Sequence, residues 1–441
     1  MPRGDAPVGA PRERVQDCYV YVQLPNSTET ITCGRFSQEQ TSAGTVGRFV
    51  YGRRYRARLD AVPIDPYHLP LSDRVQETAA LGGIFGALRD ASPDAWGRLV
   101  IQRALGRSAL TEIDYLLASP EDRAGALSFG RSVEPPAPLW TCNRILRLPE
   151  LMETARLIES HPSSPLPKRL RHAEVLMRDG GTSMGGARPK SVVEDDTGLW
   201  LAKFPARDDR WTNASVEAGM LALARRCGIT TPITRLVRVG RARVLLVMRF
   251  DRERLDSLAN ASVQYRRHRM VSALTVLNAD DSPQRRERWS YVLLADELRR
   301  WSARPDEDQR ALFRRMVFNA LVSSLDDHPR NHALIATALD WRLAPAYDVT
   351  PDPRVGSHER DLAMVCGRTG RRARRANLLS QSERFSLTHA EADAMVSDMV
   401  ATIRSSWYAD MRQHETTEAD CAIIAPAFLD EGFEYDGDAD R

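Results

Sequence analysis

The sequence predicts an α+β chain of two lobes: a β-rich first lobe carrying an extra N-terminal subdomain, followed by an all-helical second lobe. Three observations predict it. Alternating apolar and β-branched runs recur up to residue 250 and then nearly vanish. Helical periodicity dominates the remainder. The 441 residues amount to two or three domains at about 150 residues each.

In chain order, residues 1–15 carry Pro, Gly and charge without periodicity and read as a loose tail. The alternating residues 18–24 (Cys-Tyr-Val-Tyr-Val-Gln-Leu) predict a strand. Residues 48–51 and the Arg-rich segment after them read as further strands. Pro93-Asp94 is a start signal for a helix carrying Leu99, Arg103 and Leu105. The break at 134–138 (Glu-Pro-Pro-Ala-Pro) is a linker or exposed loop, and residues 146–158 are helical.

A Gly-rich turn spans 180–189. Residues 191–193 and 199–204 predict two strands joined by an Asp-Asp-Thr-Gly turn. Residues 215–227 form an amphipathic helix that Gly228 closes, and 233–239 with 243–250 predict another hairpin. Helices are then expected at 271–277, 289–301, 308–325 and 390–407. The resulting division is a tail (1–15), an N-terminal subdomain (16–145), a first lobe with the Gly-rich loop (146–252) and a helical second lobe (253–441). A crevice between lobes is where ligands bind.

Composition narrows the class. Apolar residues at 42% and charged residues at 27% are a globular balance, which excludes wholesale disorder, a collagen-like repeat and a membrane bundle. Lys and Arg number 62 against 59 Asp and Glu, a net charge of +3, so no strong global pull toward nucleic acid is expected. The total averages basic clusters at 266–269 and 368–375, which could touch phosphates, against an acidic end at 430–440. The six cysteines are scattered without a C-x-x-C pair, consistent with reduced thiols in a cytoplasmic protein. No apolar core of roughly 7–15 residues follows the polar start, and no run reaches the roughly 20 residues of a membrane span.

Four segments carry chemistry together. Residues 183–190 (Ser-Met-Gly-Gly-Ala-Arg-Pro-Lys) precede a strand; glycines admit an anion close to backbone N–H groups, and a lysine adds charge. Lys203 lies inside an apolar strand and needs an anionic partner, for which Glu217 on the following helix is the candidate. A strand lysine paired with a helix glutamate is how protein kinases hold ATP phosphates. Residues 318–331 end a helix in Asp326-Asp-His-Pro-Arg-Asn331, with Pro329 keeping the polar groups out of a helix. Asp326 is spaced like the acid that orients a substrate hydroxyl, and Asn331 like a metal ligand. Residues 341–348 place Asp348 like the second metal-binding acid. A phosphoryl-transfer site needs a phosphate cradle, a lysine, a hydroxyl-orienting acid and two metal ligands, and all five occur in that order.

With those segments the chain resembles the HipA family of serine/threonine kinase toxins. The resemblance also rests on residues 86–98 (Gly-Ala-Leu-Arg-Asp-Ala-Ser-Pro-Asp-Ala-Trp-Gly-Arg), on 115–127 and on Arg249-Phe-Asp-Arg252. It implies a two-lobed kinase-like fold and protein phosphorylation dependent on ATP and Mg²⁺. Asp326 would be the catalytic base, with Asn331 and Asp348 holding Mg²⁺. Gly185, Gly186, Ala187, Arg188, Pro189 and Lys190 would cover the phosphates, and Lys203, braced by Glu217, would reach them. Met248, Arg249 and Phe250 would form the hinge, with backbone hydrogen bonds to adenine from Met248 and Phe250. His328, Arg330 and Tyr347 complete the expected ATP-binding set.

Ser183 matches the family's autophosphorylated serine, with Thr182 adjacent. A phosphate there adds about −1.5 to −2 charge beside the cradle and would repel ATP. The expected partner is a small helix-turn-helix antitoxin (HipB-like), operator DNA being reached only through that complex and no membrane being involved. The protein substrate would be a translation enzyme such as an aminoacyl-tRNA synthetase, by analogy. Asp327 departs from the family pattern by adding a carboxylate beside the base. Two other readings are a non-catalytic corepressor of an antitoxin–operator complex and a small-metabolite kinase.

Overall fold

The computed structural model describes residues 15–136, 143–160, 188–255, 263–353 and 360–434. The expected tail lies outside them save for its last residue, as do Thr182, Ser183, Gly185, Gly186 and Ala187.

The first layer is a five-stranded antiparallel sheet in the order β4-β3-β2-β1-β5. Its strands are β1 (Val15–Gln23), β2 (Thr30–Thr41), β3 (Gly44–Tyr51), β4 (Gln76–Thr78) and β5 (Leu127–Gly130). In β1 the inward set Cys18, Val20 and Val22 is buried, as period-two alternation requires. The Arg-rich segment expected to be strand is instead one helical turn, Arg53–Arg56. Only Tyr55 in it has an apolar side chain to bury, and a turn of helix turns that residue inward while Arg53 and Arg54 stay exposed.

The second sheet runs β6-β7-β8-β10-β9. It comprises β6 (Asn143–Arg144), β7 (Lys190–Asp195), β8 (Gly198–Lys203), β9 (Thr234–Val239) and β10 (Ala242–Met248). The β7–β8 and β9–β10 hairpins match the sequence pattern. The helix Asn213–Arg226 packs against this sheet and ends as expected, with Gly228 at φ 75°, a left-handed value that glycine adopts without a Cβ penalty.

Beyond residue 250 the region is mainly helical, through Tyr291–Trp301, Pro305–Leu321 and His389–Gln413. Three corrections apply. Residues 269–272 form strand β13 (Arg269–Ser272), and the helix expected from 271 is reduced to Ala273–Val276. Strand β13 pairs with β14 (Ala333–Ala336), which pairs with β15 (Trp341–Leu343). The four residues Arg-Met-Val-Ser are too few to show a period that distinguishes strand from helix, so only the pairing decides. A further hairpin joins β11 (Arg252–Leu255) to β12 (Gln264–Arg267). The helix expected to run to 325 stops at Leu321. Ser323 then takes φ 48°, which turns the chain and frees residues 326–331 from helical geometry.

One core unites the first sheet with the helical region. Val20, Phe36, Phe49 and Phe129 belong to the same buried cluster as Leu274, Tyr291, Phe313 and Ile403. The N-terminal layer therefore contributes to the core of the helical lobe. At the join, Gly86 opens the short helix Gly86–Asp90, and a Cβ there would meet the Thr275 hydroxyl at 2.4 Å.

Candidate active site

The site is assembled from three sequence-distant segments that the fold brings to one cleft. Strand β8 ends in Lys203, whose Nζ donates to Glu217 Oε1 at 2.6 Å and to Asp348 Oδ1 at 2.7 Å. The expected Lys203–Glu217 pair is therefore formed, and the third partner is the acid expected to hold metal. Burial alone would lower the lysine's pKa; the two carboxylates outweigh it and raise the pKa above the ordinary lysine value. Burial likewise pushes Asp348 up, and the Lys203 ammonium overcomes that and holds it below the usual carboxylate range. Asp348 sits at φ 59°, uncommon for a residue with a Cβ and costing about 1–3 kcal/mol. The surrounding packing holds this acid in a strained position beside the cleft.

The second segment follows the helix Pro305–Leu321. The Asp326 carboxylate is exposed, and its carbonyl accepts from His328 N at 2.9 Å and from Asn331 Nδ2 at 3.3 Å. Pro329 opens a tight turn, Pro329–Asn331, which carries Asn331 back over Asp326. Asp326, Asn331, Asp348, Lys203 and Glu217 line one cavity of about 820 Å³, together with Ser324, Thr350 and Arg188. Asn331 and Asp348 offer an amide and a carboxylate oxygen, with Asp326 nearby. Hard oxygen donors of this kind suit Mg²⁺, which takes one or two protein ligands and fills the rest of its shell with water and phosphate. The donor set fits.

Behind this cavity is a narrower slot. Lys203, Glu217 and Asp348 line both, and Leu201, Val247, Met248, Phe250, Met270 and Tyr347 add apolar wall. Phe250 and Tyr347 face each other with ring centroids 5.8 Å apart. Of the two hinge groups expected to bond adenine, the Met248 N–H already donates to Ile233 O at 2.8 Å. The Phe250 N–H has no partner among the described residues.

Other expected residues are placed differently. Lys190 is 2% exposed, and its Nζ donates to Asp94 Oδ2 at 2.6 Å. It is a buried tie between the second sheet and the N-terminal subdomain. Asp94 also caps the helix Ala95–Leu105 through Gly97 N at 2.8 Å, and Trp96 Nε1 donates to Lys190 O at 3.0 Å. Arg188 lines the cavity and pairs with Asp209 at 2.5 Å. The Arg249 side chain is wholly buried: it chelates Asp251 and donates to the carbonyls of Asp122 and Arg123, and its N–H donates to Leu199 O at 2.9 Å. Arg330 pairs with Asp281, Nε to Oδ1 at 2.7 Å, and its carbonyl accepts from the Tyr347 hydroxyl at 2.8 Å. His328 lines the main cavity with its ring edge against Trp289.

Asp327 does not sit beside the base as expected. It is buried, accepting from the Tyr291 hydroxyl and bonded to His332 Nε2 at 2.8 Å, and so anchors the loop from below. Of the basic cluster at 266–269, Arg267 and Arg269 are buried and bonded to backbone carbonyls, while Arg266 pairs with Glu253. That cluster is architecture rather than a phosphate-binding face. Asp90 and Asp94 are not expected at the cleft from the sequence, which marks Pro93-Asp94 only as a helix start and gives Asp90 no role of its own. Both line the slot, and Asp90 accepts from Ser272 N, Ser272 Oγ and Thr275 Oγ1, each at 2.7 Å.

Among known proteins, residues 182–407 match the HipA-like C-terminal domain. No curated protein matches the chain. Among solved structures, the chain is similar to HipA of Shewanella oneidensis MR-1, determined with HipB and operator DNA. Identity is 17% and the TM-score 0.65, over 93% of this chain and 94% of that one. It is also similar to the Helicobacter pylori proinflammatory kinase CtkA at 13% identity and TM-score 0.34, over 55% of this chain and 91% of that one. The family domain spans more than half of the 441 residues and includes Lys203, Asp326, Asn331 and Asp348, and the likeness to the Shewanella fold extends over the N-terminal layer as well: this protein belongs to the HipA family.

Proposed function

We propose that the protein is a serine/threonine protein kinase of the toxin type, using ATP and Mg²⁺. The observation that carries this reading is Lys203 gripped by Glu217 and Asp348 in the cavity that Asp326 and Asn331 also line. ATP would supply the transferred phosphoryl group and Mg²⁺ would neutralise its charge, with Asn331 and Asp348 as the holding residues. Lys203 orients the phosphates, Glu217 keeps Lys203 extended toward them, and the adenine ring occupies the slot between Phe250, Tyr347 and Met270. Asp326, exposed at the cavity wall, accepts the proton of the attacking hydroxyl. Asp327, through Tyr291 and His332, holds the loop that presents Asp326. General-base assistance of this kind is worth about 10²–10⁴-fold.

Ser183 is the proposed autophosphorylation site. A helix-turn-helix antitoxin is the proposed partner, supported by the Shewanella relative solved with HipB and operator DNA, and a translation enzyme is the proposed target. Purified protein incubated with radiolabelled ATP and Mg²⁺ should label itself, and Asp326→Ala should abolish the label. No labelling of wild type, or equal labelling of the variant, overturns the proposal. Mass spectrometry should find phosphate on Ser183 in wild type and none in Asp326→Ala.

A further inference from the structure

A second cavity of about 830 Å³ lies between the N-terminal subdomain and the catalytic loop, sharing His328 with the main cavity and Asp94 and Arg330 with the slot. Its walls are apolar at Ala80, Ile84, Pro93 and Ala279. Nearly all its charged side chains are already neutralised in pairs. Arg98 holds Glu112 through two hydrogen bonds of 2.6 and 2.7 Å, Arg330 holds Asp281, Arg285 meets Asp280 at 3.5 Å, and Asp94 holds Lys190.

Arg89 is the exception. It is 7% exposed, and Nε, Nη1 and Nη2 all lack a hydrogen-bond partner among the described residues. Asp90, Asp280, Asp281 and Arg330 act on it through space only. A buried guanidinium without a partner is costly, and its planar fork matches a carboxylate or phosphate bidentately.

We propose that Arg89 is the anchor of an oxyanion site and that its occupant is an acidic side chain of the phosphoacceptor segment, docked beside the catalytic loop. The docking role rests on the kinase reading above; the anion site itself does not. The cavity adjoins Asp326's loop at His328 and Arg330, so a chain whose serine lies at Asp326 passes its mouth. A Ser/Thr segment bearing Asp or Glu near the acceptor is the substrate class that satisfies this geometry.

The test uses the full chain and Arg89→Met in two arms. Positional libraries of serine peptides with radiolabelled ATP should show Asp or Glu favoured at least tenfold over neutral residues at one flanking position in wild type. Arg89→Met should reduce that preference to within twofold, while ATP affinity and Ser183 labelling stay within twofold of wild type. Calorimetric titration with inorganic phosphate should show binding that weakens at least tenfold in the variant. Removing an unpaired buried charge should leave Tm unchanged or raised, whereas a merely structural arginine would lower it. If Arg89→Met does not fold, Ala95→Glu adds a negative charge at the cavity wall and should weaken both readouts. Phosphate binding without peptide preference marks a free-anion site and overturns the docking role. No difference between wild type and variant in either arm overturns the proposal altogether. If no protein or peptide is labelled by wild type, the kinase reading fails and the phosphate titration still decides the anion site.

Discussion

Lys203 shows how one side chain depends on its neighbours. Burial alone would lower its pKa; Glu217 and Asp348 raise it above the ordinary lysine value and keep it charged. Replacing it with Met leaves two close carboxylates without a cation, and these repel phosphate. Nucleotide titration should find ATP affinity at least tenfold weaker in Lys203→Met, and unchanged affinity would remove the lysine from the phosphate site. Asp251 gives a pH prediction. Burial would raise its pKa, but Arg249, Arg252 and the Gly125 N–H hold it well below the usual range. A depressed folded pKa contributes stability above the unfolded value of about 3.9, and that contribution is lost as pH falls through the folded value. Wild-type stability should therefore decline on acidification below pH about 4, and Asp251→Asn should flatten that decline. At neutral pH the variant should be about 3–5 kcal/mol less stable by denaturant melts, as expected when one partner of a buried pair is removed.

Among the elements, the junction between the helices Gly86–Asp90 and Ala95–Leu105 links the subdomain to the first lobe. Asp94 caps its helix and neutralises Lys190, so the start signal visible in the sequence has a second duty across 96 residues. Asp94→Asn keeps a capping oxygen but strips the charge from a buried lysine. It should destabilise by about 3–5 kcal/mol, whereas loss of a cap alone costs about 1 kcal/mol. A loss near the lower figure would show that Lys190 is not the main beneficiary. The turn that carries Asp326 and Asn331 is built on the same economy of local chemistry: Ser323 at φ 48° and Pro329 at the head of a tight turn follow the end of the preceding helix and redirect the chain into the cleft.

At the scale of the whole molecule, the first sheet and the helical region share one core, while the second sheet's faces bury two separate clusters. Arg249, Arg252 and Arg267 add polar ties, donating to carbonyls between Asp122 and Leu127. A chain beginning at residue 146 would expose the inner faces of the helices that pack on Phe36, Phe49 and Phe129. Expressed alone it should be insoluble or lack a cooperative melt; a soluble fragment with a sharp transition would show the subdomain to be dispensable for folding.

Much of this was legible along the chain because it is local. Alternation and hairpin patterns marked β1, β3 and β7 to β10 but not β2, β4, β5 or β6, Gly228 marked a helix end, and the order Lys203, Asp326, Asn331, Asp348 marked the cavity-lining set. Those signals are carried by residue type and spacing, which any nearby backbone must honour. The tertiary structure decided the rest. Strand β13 depends on pairing with β14, some sixty residues away, which no local pattern encodes. The partners of Lys190, Arg249 and Asp327 are buried groups chosen by desolvation: once water is removed, each charge must find whichever opposite charge or carbonyl the packing brings near. Arg89 is the converse case, a charge for which the packing brings no partner, and only the folded cavity reveals it.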